Sequence, residues 1–275
     1  MTLANQDFQA FREFLEKACG IVLGDNKQYL VSSRLNRLLE QEKIGSLGEL
    51  VKRIQSQPRS NLRELVIDAM TTNETLWFRD VYPFEVLKKK LIPEFIKSNP
   101  NQRLRIWSAA CCSGQEPYSL SMSIDEFERS NAGQLRSGAQ IVATDLSGGI
   151  LNAAKSAEYD SLSVARGLSQ ERLARHFDQL APGRWALKPA LRNRVEFRAI
   201  NLLDSYSMLG KFDIVFCRNV LIYFSADVKK DILRRIHATL KPGGYLMLGA
   251  SEALNGLPEL YQMVQCNPGI VYQAR

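Results

Sequence analysis

The feature that most constrains the fold is a change in hydrophobic periodicity about one third of the way along this 275-residue chain. Up to about residue 98, apolar side chains recur at three- and four-residue spacing, as in Phe8, Phe11 and Leu15, and this spacing predicts amphipathic helices. From Arg103 onward, short apolar runs alternate with helical stretches, which is typical of βαβ units around a mostly parallel sheet. The chain is therefore predicted to be an α/β protein preceded by a small all-helical domain.

Two polar residues in the helical half are predicted to begin helices. Asp25 is placed as the N-cap of a helix over 25–40, and Ser60 as the cap of a helix over 62–70, because short oxygen-bearing side chains accept hydrogen bonds from the free amides of a first turn. We also expect a helix over 47–54, a helical domain over residues 1–75 and a linker helix over 76–98.

The α/β half, residues 99–275, is predicted to form a doubly wound sheet. Two β-like runs at 261–264 and 269–272 predict an antiparallel C-terminal hairpin at its edge. The stretch 159–198 interrupts the alternation and carries eight basic against four acidic residues, so we expect an insertion that forms a small β-subdomain. The strands are predicted at 104–107, 140–143, 195–197, 213–216 and 245–248, and the helices at 116–128, 149–157 and 227–240.

Composition excludes several functional classes. The net charge of +7 favours an acidic partner, but the absence of any block of five like charges argues against a nucleic-acid tail. Five cysteines without a C-x-x-C pair, together with only two histidines, leave little for a disulfide framework, a metal site or a histidine-based triad. Because histidines and paired cysteines are so few, we expect no bound metal. Because no long apolar segment or leader is visible, we expect a cytoplasmic protein that does not insert into membranes.

Polar side chains follow four successive predicted strands, and the carboxyl ends of such strands share one crevice. Glu116 follows the first strand, Asp145 the second, Asn201 the third, and Arg218 with Asn219 the fourth. The turn after the first strand lacks both G-x-G-x-x-G and the Walker sequence, which argues against dinucleotides and nucleoside triphosphates. Two local alternatives remain open: this turn could serve packing alone, and Asp145 could cap the next helix.

Six segments carry a family resemblance. They are Thr-Thr-Asn-Glu-Thr-Leu-Trp-Phe-Arg at 71–79, the turn from Ser-Ala-Ala at 108–110 to Gly-Gln-Glu-Pro-Tyr-Ser at 114–119, Thr-Asp-Leu at 144–146, Val-Glu-Phe-Arg-Ala-Ile-Asn-Leu-Leu at 195–203, Phe-Cys-Arg-Asn-Val-Leu-Ile-Tyr-Phe at 216–224 and Leu-Lys-Pro-Gly-Gly at 240–244. In this order they resemble the CheR-type chemotaxis receptor methyltransferases. The resemblance covers nearly the whole chain and implies a class I S-adenosylmethionine (SAM)-dependent fold, with transfer of methyl from SAM to receptor glutamates and release of S-adenosylhomocysteine (SAH).

The resemblance also implies roles for individual residues. Arg79 and Tyr223 would be catalytic, since Arg79 can orient the acceptor carboxylate and Tyr223 can place its hydroxyl near the transferred methyl. Without the resemblance, Asn73 and Thr75 could instead cap a helix that follows Met70. The cofactor-binding set implied by the resemblance is Asn73, Thr75, Arg79, Glu116, Asp145, Asn201, Leu202, Arg218 and Asn219.

The predicted partner is the glutamate-rich helical bundle of a chemoreceptor. Arg34 and Arg37 lie three residues apart in a stretch without acidic residues and would dock this bundle, unless their stems simply cover the domain's own core. The resemblance implies a monomer in the cytoplasm that is recruited to receptor arrays and has no nucleic-acid partner. The alternatives are a class I methyltransferase acting on RNA, suggested by the basic pI, and a non-catalytic SAM-binding module.

Overall fold

A computed structural model of the chain describes residues 5–57, 60–254 and 256–275. The first part is helical, and the apolar faces of its helices form one core in which Phe11, Leu35 and Leu50 are fully buried. These faces follow the three- and four-residue spacing of the sequence, so burial rather than intrinsic propensity selects the helices. The helices are α1 (Asn5–Cys19), α2 (Gln28–Gln41), α3 (Leu47–Ser56) and α4 (Leu62–Met70).

Both predicted caps in this region are wrong. Asp25 lies in a separate 3-10 turn, Asp25–Lys27, and its carboxylate forms an ion pair with Arg12, so α2 begins three residues later than predicted. Ser60 donates its hydroxyl to the carbonyl of Gln57 and does not cap α4, for which Asn61 is the N-cap residue. In each case the side chain that was predicted to cap a helix binds another group instead.

The predicted linker helix over 76–98 begins later than expected. Regular helix runs from α5 (Tyr82–Val86) through a π-helical turn (Leu87–Leu91) into α6 (Ile92–Ser98). Residues 76–81 are not helical, and they include a turn at 78–81 in which Phe78, Asp80 and Val81 have φ values of +50°, +66° and +54°. Left-handed conformations at non-glycine residues are uncommon and cost energy, so this short segment must be held by its surroundings.

The main sheet has seven strands, which are β1 (Leu104–Ala109), β2 (Ala139–Asp145), β6 (Val195–Ala199), β7 (Phe212–Cys217), β8 (Leu240–Leu248), β9 (Tyr261–Gln265) and β10 (Ile270–Ala274). Their order across the sheet is β6-β2-β1-β7-β8-β10-β9. Pairing is parallel from β6 to β8 and antiparallel at β10 and β9, which confirms the predicted sheet and C-terminal hairpin. The strand β8 starts earlier than the predicted residue 245, and an irregularity in its pairing with β7 accommodates the extra residues.

Helices cover both faces of this sheet. Successive residues of β1 point to opposite sides, so Ile106 belongs to one core and Trp107 to the other. The strand β1 lies between β2 and β7, where the chain changes direction across the sheet, and ligands of open α/β sheets bind beyond the carboxyl ends of strands at such a point. The helices in this part are α7 (Gln115–Ser130), α8 (Gly148–Ser156), α9 (Ser161–Ala165), α10 (Gln170–His176), α11 (Pro189–Arg192) and α12 (Ala226–Thr239).

The insertion forms the expected small β-subdomain. Its three antiparallel strands are ordered β3 (Glu158–Asp160), β5 (Arg184–Leu187) and β4 (Phe177–Ala181). The predicted range 159–198 extends too far, because residues from 195 onward belong to β6 of the main sheet.

The insertion packs directly on Trp77. The Trp77 amide donates to the carbonyl of Arg166 at 3.0 Å, and its indole N–H donates to the carbonyl of Ser163 at 3.1 Å. The indole ring also meets Tyr159 and Phe177 edge to face, at centroid distances of 4.9 and 5.4 Å. The insertion therefore holds one end of the strained turn at 78–81. Within the described ranges, none of the helices combines the length and the hydropathy that a membrane span requires.

Candidate functional site

A cavity of about 370 Å³ lies between the helical domain and the carboxyl edge of the main sheet. Its volume is in the range of small-molecule sites, about 300–1,000 Å³. Both parts of the chain supply its walls, the helical domain through 19–24 and 70–73 and the sheet through the loops after β1, β2, β6 and β7. All ten residues predicted to bind the cofactor or to act in the reaction line it: Asn73, Thr75, Arg79, Glu116, Asp145, Asn201, Leu202, Arg218, Asn219 and Tyr223.

The turn after β1 brings backbone to the cavity in an unusual conformation. Ala110, Cys112 and Gly114 have φ values of +57°, +52° and +93°. At Gly114 a Cβ would lie 3.0 Å from the ring of Tyr118 and 3.1 Å from the hydroxyl of Tyr159. Close packing against these two tyrosines therefore requires a glycine at 114. The cavity itself is lined by Ala110 and Cys112 of the same turn.

Asp145 ends β2 with its carboxylate nearly buried. One oxygen accepts the amide N–H of Cys112 at 2.8 Å and the other that of Ser147 at 3.1 Å. Burial raises the pKa of Asp145 by more than these amides lower it. The alternative that Asp145 caps α8 is wrong, because the Ser147 hydroxyl accepts from Ile150 as the N-cap.

Glu116 and Arg218 form the centre of a buried ionic network. Glu116, in the first turn of α7, accepts from the hydroxyl of Ser108 at 2.8 Å and from Arg218 Nη1 at 2.9 Å. The Arg218 side chain is only 1% exposed, and its Nη2 donates to the Asp80 carboxylate and to the Arg79 carbonyl, each at 2.7 Å. The network thus joins three separate loops around the cavity and fixes the main chain at Arg79.

Asn73 and Thr75 lie in a segment without helix or strand, between α4 and the turn at 78–81. The alternative in which they cap a helix is wrong, since the next helix begins at Tyr82 and has no side-chain cap. Both residues face the cavity together with Arg79, whose side chain is partly exposed.

Asn201 and Leu202 line the cavity beyond β6. The Asn201 side chain donates to the carbonyl of Ala18 at 2.8 Å and accepts from the amide of Leu203 at 3.0 Å. The Asn201 amide group is thus engaged within the protein, where it bridges the loop after β6 to α1. Leu202 is buried in one of the cores beside the sheet, so it presents only apolar atoms and backbone to the cavity.

The structure separates the two arginines that were predicted to dock a receptor. Arg34 donates through Nη1 to the carbonyls of Met70 at 2.6 Å and Thr71 at 3.0 Å, and through Nη2 to the hydroxyl of Thr72 at 3.0 Å. It also lines the cavity, so it supports the segment that leads to Asn73. Arg37 is exposed on α2 and lies outside the cavity lining.

Two groups that sequence reasoning missed shape the loop at 218–224. Glu252 accepts backbone N–H groups of this loop, including that of Asn219 at 2.7 Å. The amide of Val22, in the helical domain, donates to the carbonyl of Tyr223 at 2.9 Å. The sequence signal for this contact is Gly249, three residues before Glu252, because a glycine has no side chain to keep the Glu252 carboxylate away from the loop.

The donor set fits SAM. A carboxylate suits the ammonium of its amino-acid part, a second carboxylate suits the ribose diol, and an arginine suits its carboxylate. Glu116 and Asp145 provide the two carboxylates around one cavity, and Arg79 provides a guanidinium that suits either the carboxylate of SAM or that of an acceptor. Among the residues that the structure describes, no cluster of three or more histidine, cysteine or acidic side chains is arranged to hold a metal ion.

Comparison with known proteins agrees with this geometry. Residues 6–71 match the CheR methyltransferase all-alpha domain, and residues 73–270 match the CheR methyltransferase SAM binding domain. The chain is 77% identical to the chemotaxis protein methyltransferase Cher2 of Pseudomonas putida and 74% identical to chemotaxis protein methyltransferase 1 of Pseudomonas aeruginosa, with full coverage of both chains. A Vibrio cholerae chemotaxis protein methyltransferase 1 is 50% identical, with 100% of this chain and 99% of the relative covered. The resemblance seen in the sequence is confirmed, and the chain belongs to the CheR family of SAM-dependent chemotaxis methyltransferases.

Proposed function

We propose that this enzyme methylates the side-chain carboxylates of specific glutamates in chemoreceptors, which produces glutamyl methyl esters for chemotactic adaptation. The observation that carries the proposal is the placement of Arg79 and Tyr223 in one cavity with Glu116 and Asp145. An acidic pair for the ammonium and ribose of SAM thus lies beside a cation and a phenol that suit a carboxylate acceptor.

The reaction needs no general base. A glutamate side chain is ionised at neutral pH, so its oxygen is already a nucleophile. When SAM is bound it supplies a methyl group on a sulfonium sulfur, and the carboxylate oxygen forms a C–O bond as the C–S bond breaks and sulfur keeps the electron pair. The protein must therefore orient the acceptor oxygen and exclude water from it.

In this proposal Arg79 orients the acceptor. Its guanidinium has one weak contact with the Glu74 carbonyl, at 3.5 Å, whereas its backbone is fixed by Arg218. A fixed main chain with a free guanidinium suits a group that must contact an incoming carboxylate in a defined position. Tyr223, held through its carbonyl by Val22, places its hydroxyl near the methyl group that moves.

The cofactor would be held by the lining residues in separate roles. Asn73 and Thr75 would contact its amino-acid end, Glu116 its ammonium and Asp145 its ribose. Asn201 with Leu202 would border the adenine, mainly through backbone and apolar contacts because the Asn201 amide is engaged with Ala18. Arg218 and Asn219 would close the cavity beside the reacting centre. Arg218 would support Glu116 through their hydrogen bond, and Asn219 would contribute the backbone of the loop.

Receptor docking is proposed at Arg37. Its exposed guanidinium on α2 is available to the acidic face of a receptor helix, whereas Arg34 is engaged inside the domain. Charge reversal by Arg37→Glu should raise KM for the receptor and leave KM for SAM unchanged. Equal effects on both constants would remove the docking role. We further propose that the enzyme acts as a monomer in the cytoplasm and is recruited to receptor arrays.

The test is methyl transfer from tritiated SAM to receptor-containing membranes and, separately, to total RNA. Base-labile label in the receptor supports the proposal, and label in RNA alone would overturn it. Arg79→Ala should lower kcat about 100-fold, as removal of a charge-stabilising donor does. Arg53→Ala, which changes an exposed arginine paired with Glu49 on α3, is the matched control and should retain wild-type kcat. Retention of near wild-type transfer by both Arg79→Ala and Tyr223→Phe, with intact folding, would refute the assigned roles.

A further inference from the structure

A single carboxylate joins the ends of two neighbouring strands beside the cavity. Glu252 lies just after β8, and its Oε2 accepts the amide N–H of Asn219 at 2.7 Å and that of Gly249 at 2.9 Å. Its Oε1 accepts the amide N–H of Leu221 at 2.8 Å. Three charge-assisted hydrogen bonds thus converge on one side chain that is itself absent from the cavity lining.

The amides that Glu252 binds belong to the loop 218–224 after β7, which carries Asn219 and Tyr223 into the cavity. Asn219 has a φ of +58°, a conformation that a free chain visits rarely. A 3-10 turn, Leu221–Tyr223, follows it and sets where the Tyr223 ring projects. The loop therefore depends on outside partners for its shape.

Gly249 allows the carboxylate to reach this position. A Cβ on Gly249 would lie 2.7 Å from Glu252 Oε2 and 2.8 Å from the backbone nitrogen of Asn219. Contacts that short do not occur, so any side chain here would push Glu252 away from the loop. The pair of Gly249 and Glu252 is thus built for close contact between the ends of β7 and β8.

We propose that Glu252 is a positioning residue for methyl transfer, which acts through the backbone of the loop 218–224 to place Tyr223 and Asn219 at the acceptor side of the cavity. The inference rests on the role proposed above for Tyr223. Val22 also binds the loop, at the Tyr223 carbonyl, and Phe224 packs within 2.6 Å of where a Gly20 side chain would start. These contacts anchor the far end of the loop, and the side chain of Arg218 anchors its first residue. Glu252 holds the backbone between them, at the amides of Asn219 and Leu221.

Glu252→Gln is the informative substitution. Glutamine keeps the size of the side chain, but its amide has one acceptor oxygen and an NH₂ group that would face a backbone N–H. At least one of the three hydrogen bonds is then lost and replaced by a donor facing a donor. A second variant, Glu252→Asp, keeps the charge and tests the same contacts if Glu252→Gln is poorly folded.

The matched control is Asp213→Asn. Asp213, at the opposite end of β7, likewise accepts a backbone N–H, that of Arg105 at 2.8 Å, and pairs with Lys241 at 2.7 Å. It lies outside the cavity lining, so its loss should lower Tm without a selective effect on transfer.

The experiment measures kcat and KM for SAM with receptor membranes, SAH affinity, and hydrogen exchange of the peptide 218–224. In Glu252→Gln we expect kcat to fall about 10- to 100-fold, because small misplacement of reacting groups has effects of this size. KM for SAM and SAH affinity should change much less, exchange should rise selectively in 218–224, and Glu252→Asp should recover part of kcat. Asp213→Asn should keep kcat and normal exchange in this loop.

Wild-type kcat in Glu252→Gln, a kcat loss no greater than that of Asp213→Asn, or a loss confined to SAM affinity would overturn the inference. A wild-type enzyme that does not label receptors would instead refute the proposed function. In that case the exchange of 218–224 still decides whether Glu252 holds the loop.

Discussion

Removal of the buried arginine at the centre of the ionic network should have a large and measurable effect on stability. Arg218→Met deletes a cation that is 1% exposed and leaves two carboxylates facing the same space, those of Glu116 and Asp80, at 13% and 30% exposure. Loss of one partner from a buried ion pair costs about 3–5 kcal/mol, because the remaining charge has no compensation. The thermal midpoint of a protein of this size should fall by roughly 2–4 °C for each kcal/mol.

Urea and thermal unfolding followed by circular dichroism measure this loss. Arg129→Met is the control, because it breaks an i,i+4 pair with Asp125 on α7 in which the arginine itself is 56% exposed, and it should cost less than about 1 kcal/mol. The double variant Arg218→Met/Glu116→Gln should recover part of the stability, since it removes the more deeply buried of the two stranded charges. A loss of less than about 1 kcal/mol in Arg218→Met would refute the reasoning, since that is the size expected of a solvated surface pair.

Two further predictions concern the cavity and the insertion. Because burial raises the pKa of Asp145, SAH affinity of the wild-type enzyme should fall as the pH drops through that raised value. Asp145→Asn does not titrate, so it should bind SAH more weakly at neutral pH and show no such dependence on pH. Calorimetric titration measures both affinities, and a wild-type pH profile in Asp145→Asn would contradict the ribose role. Gly167→Ala should destabilise the protein by about 2–5 kcal/mol in urea unfolding, because the new Cβ would lie 2.2 Å from the Trp77 carbonyl at a φ of +96°. Gly133→Ala, with a φ of +76° and open space around it, is its control, and equal losses would show that backbone strain alone is responsible.

Much of the fold and the outline of the site could be predicted from the sequence. Parallel strands end at one edge, so the residues after them, such as Glu116, Asp145 and Arg218, had to converge once the alternation of strand and helix was recognised. The apolar spacing likewise placed α1 to α4, whose faces are buried as predicted. These features are set by local period and by topology, both of which the sequence contains.

The rest depends on partners that are distant in the sequence. The Asn201 side chain is taken by Ala18, 183 residues away, and nothing near Asn201 indicates this. Glu252 reaches Asn219 across 33 residues only because β7 and β8 are neighbours. The helix starts predicted at Asp25 and Ser60 are wrong because each side chain binds another group, Arg12 on α1 for Asp25 and the Gln57 carbonyl for Ser60.

The shared wall of the cavity limits how this enzyme can be re-engineered. The helical domain completes the cavity with Ile21, Val22 and Leu30, opposite the carboxyl edge of the main sheet. A chimera that exchanges the helical domain to change receptor choice would therefore replace part of the cavity as well. A graft that preserves this cavity must therefore keep the segment 19–30 of this chain together with the loop 218–224, which Val22 contacts.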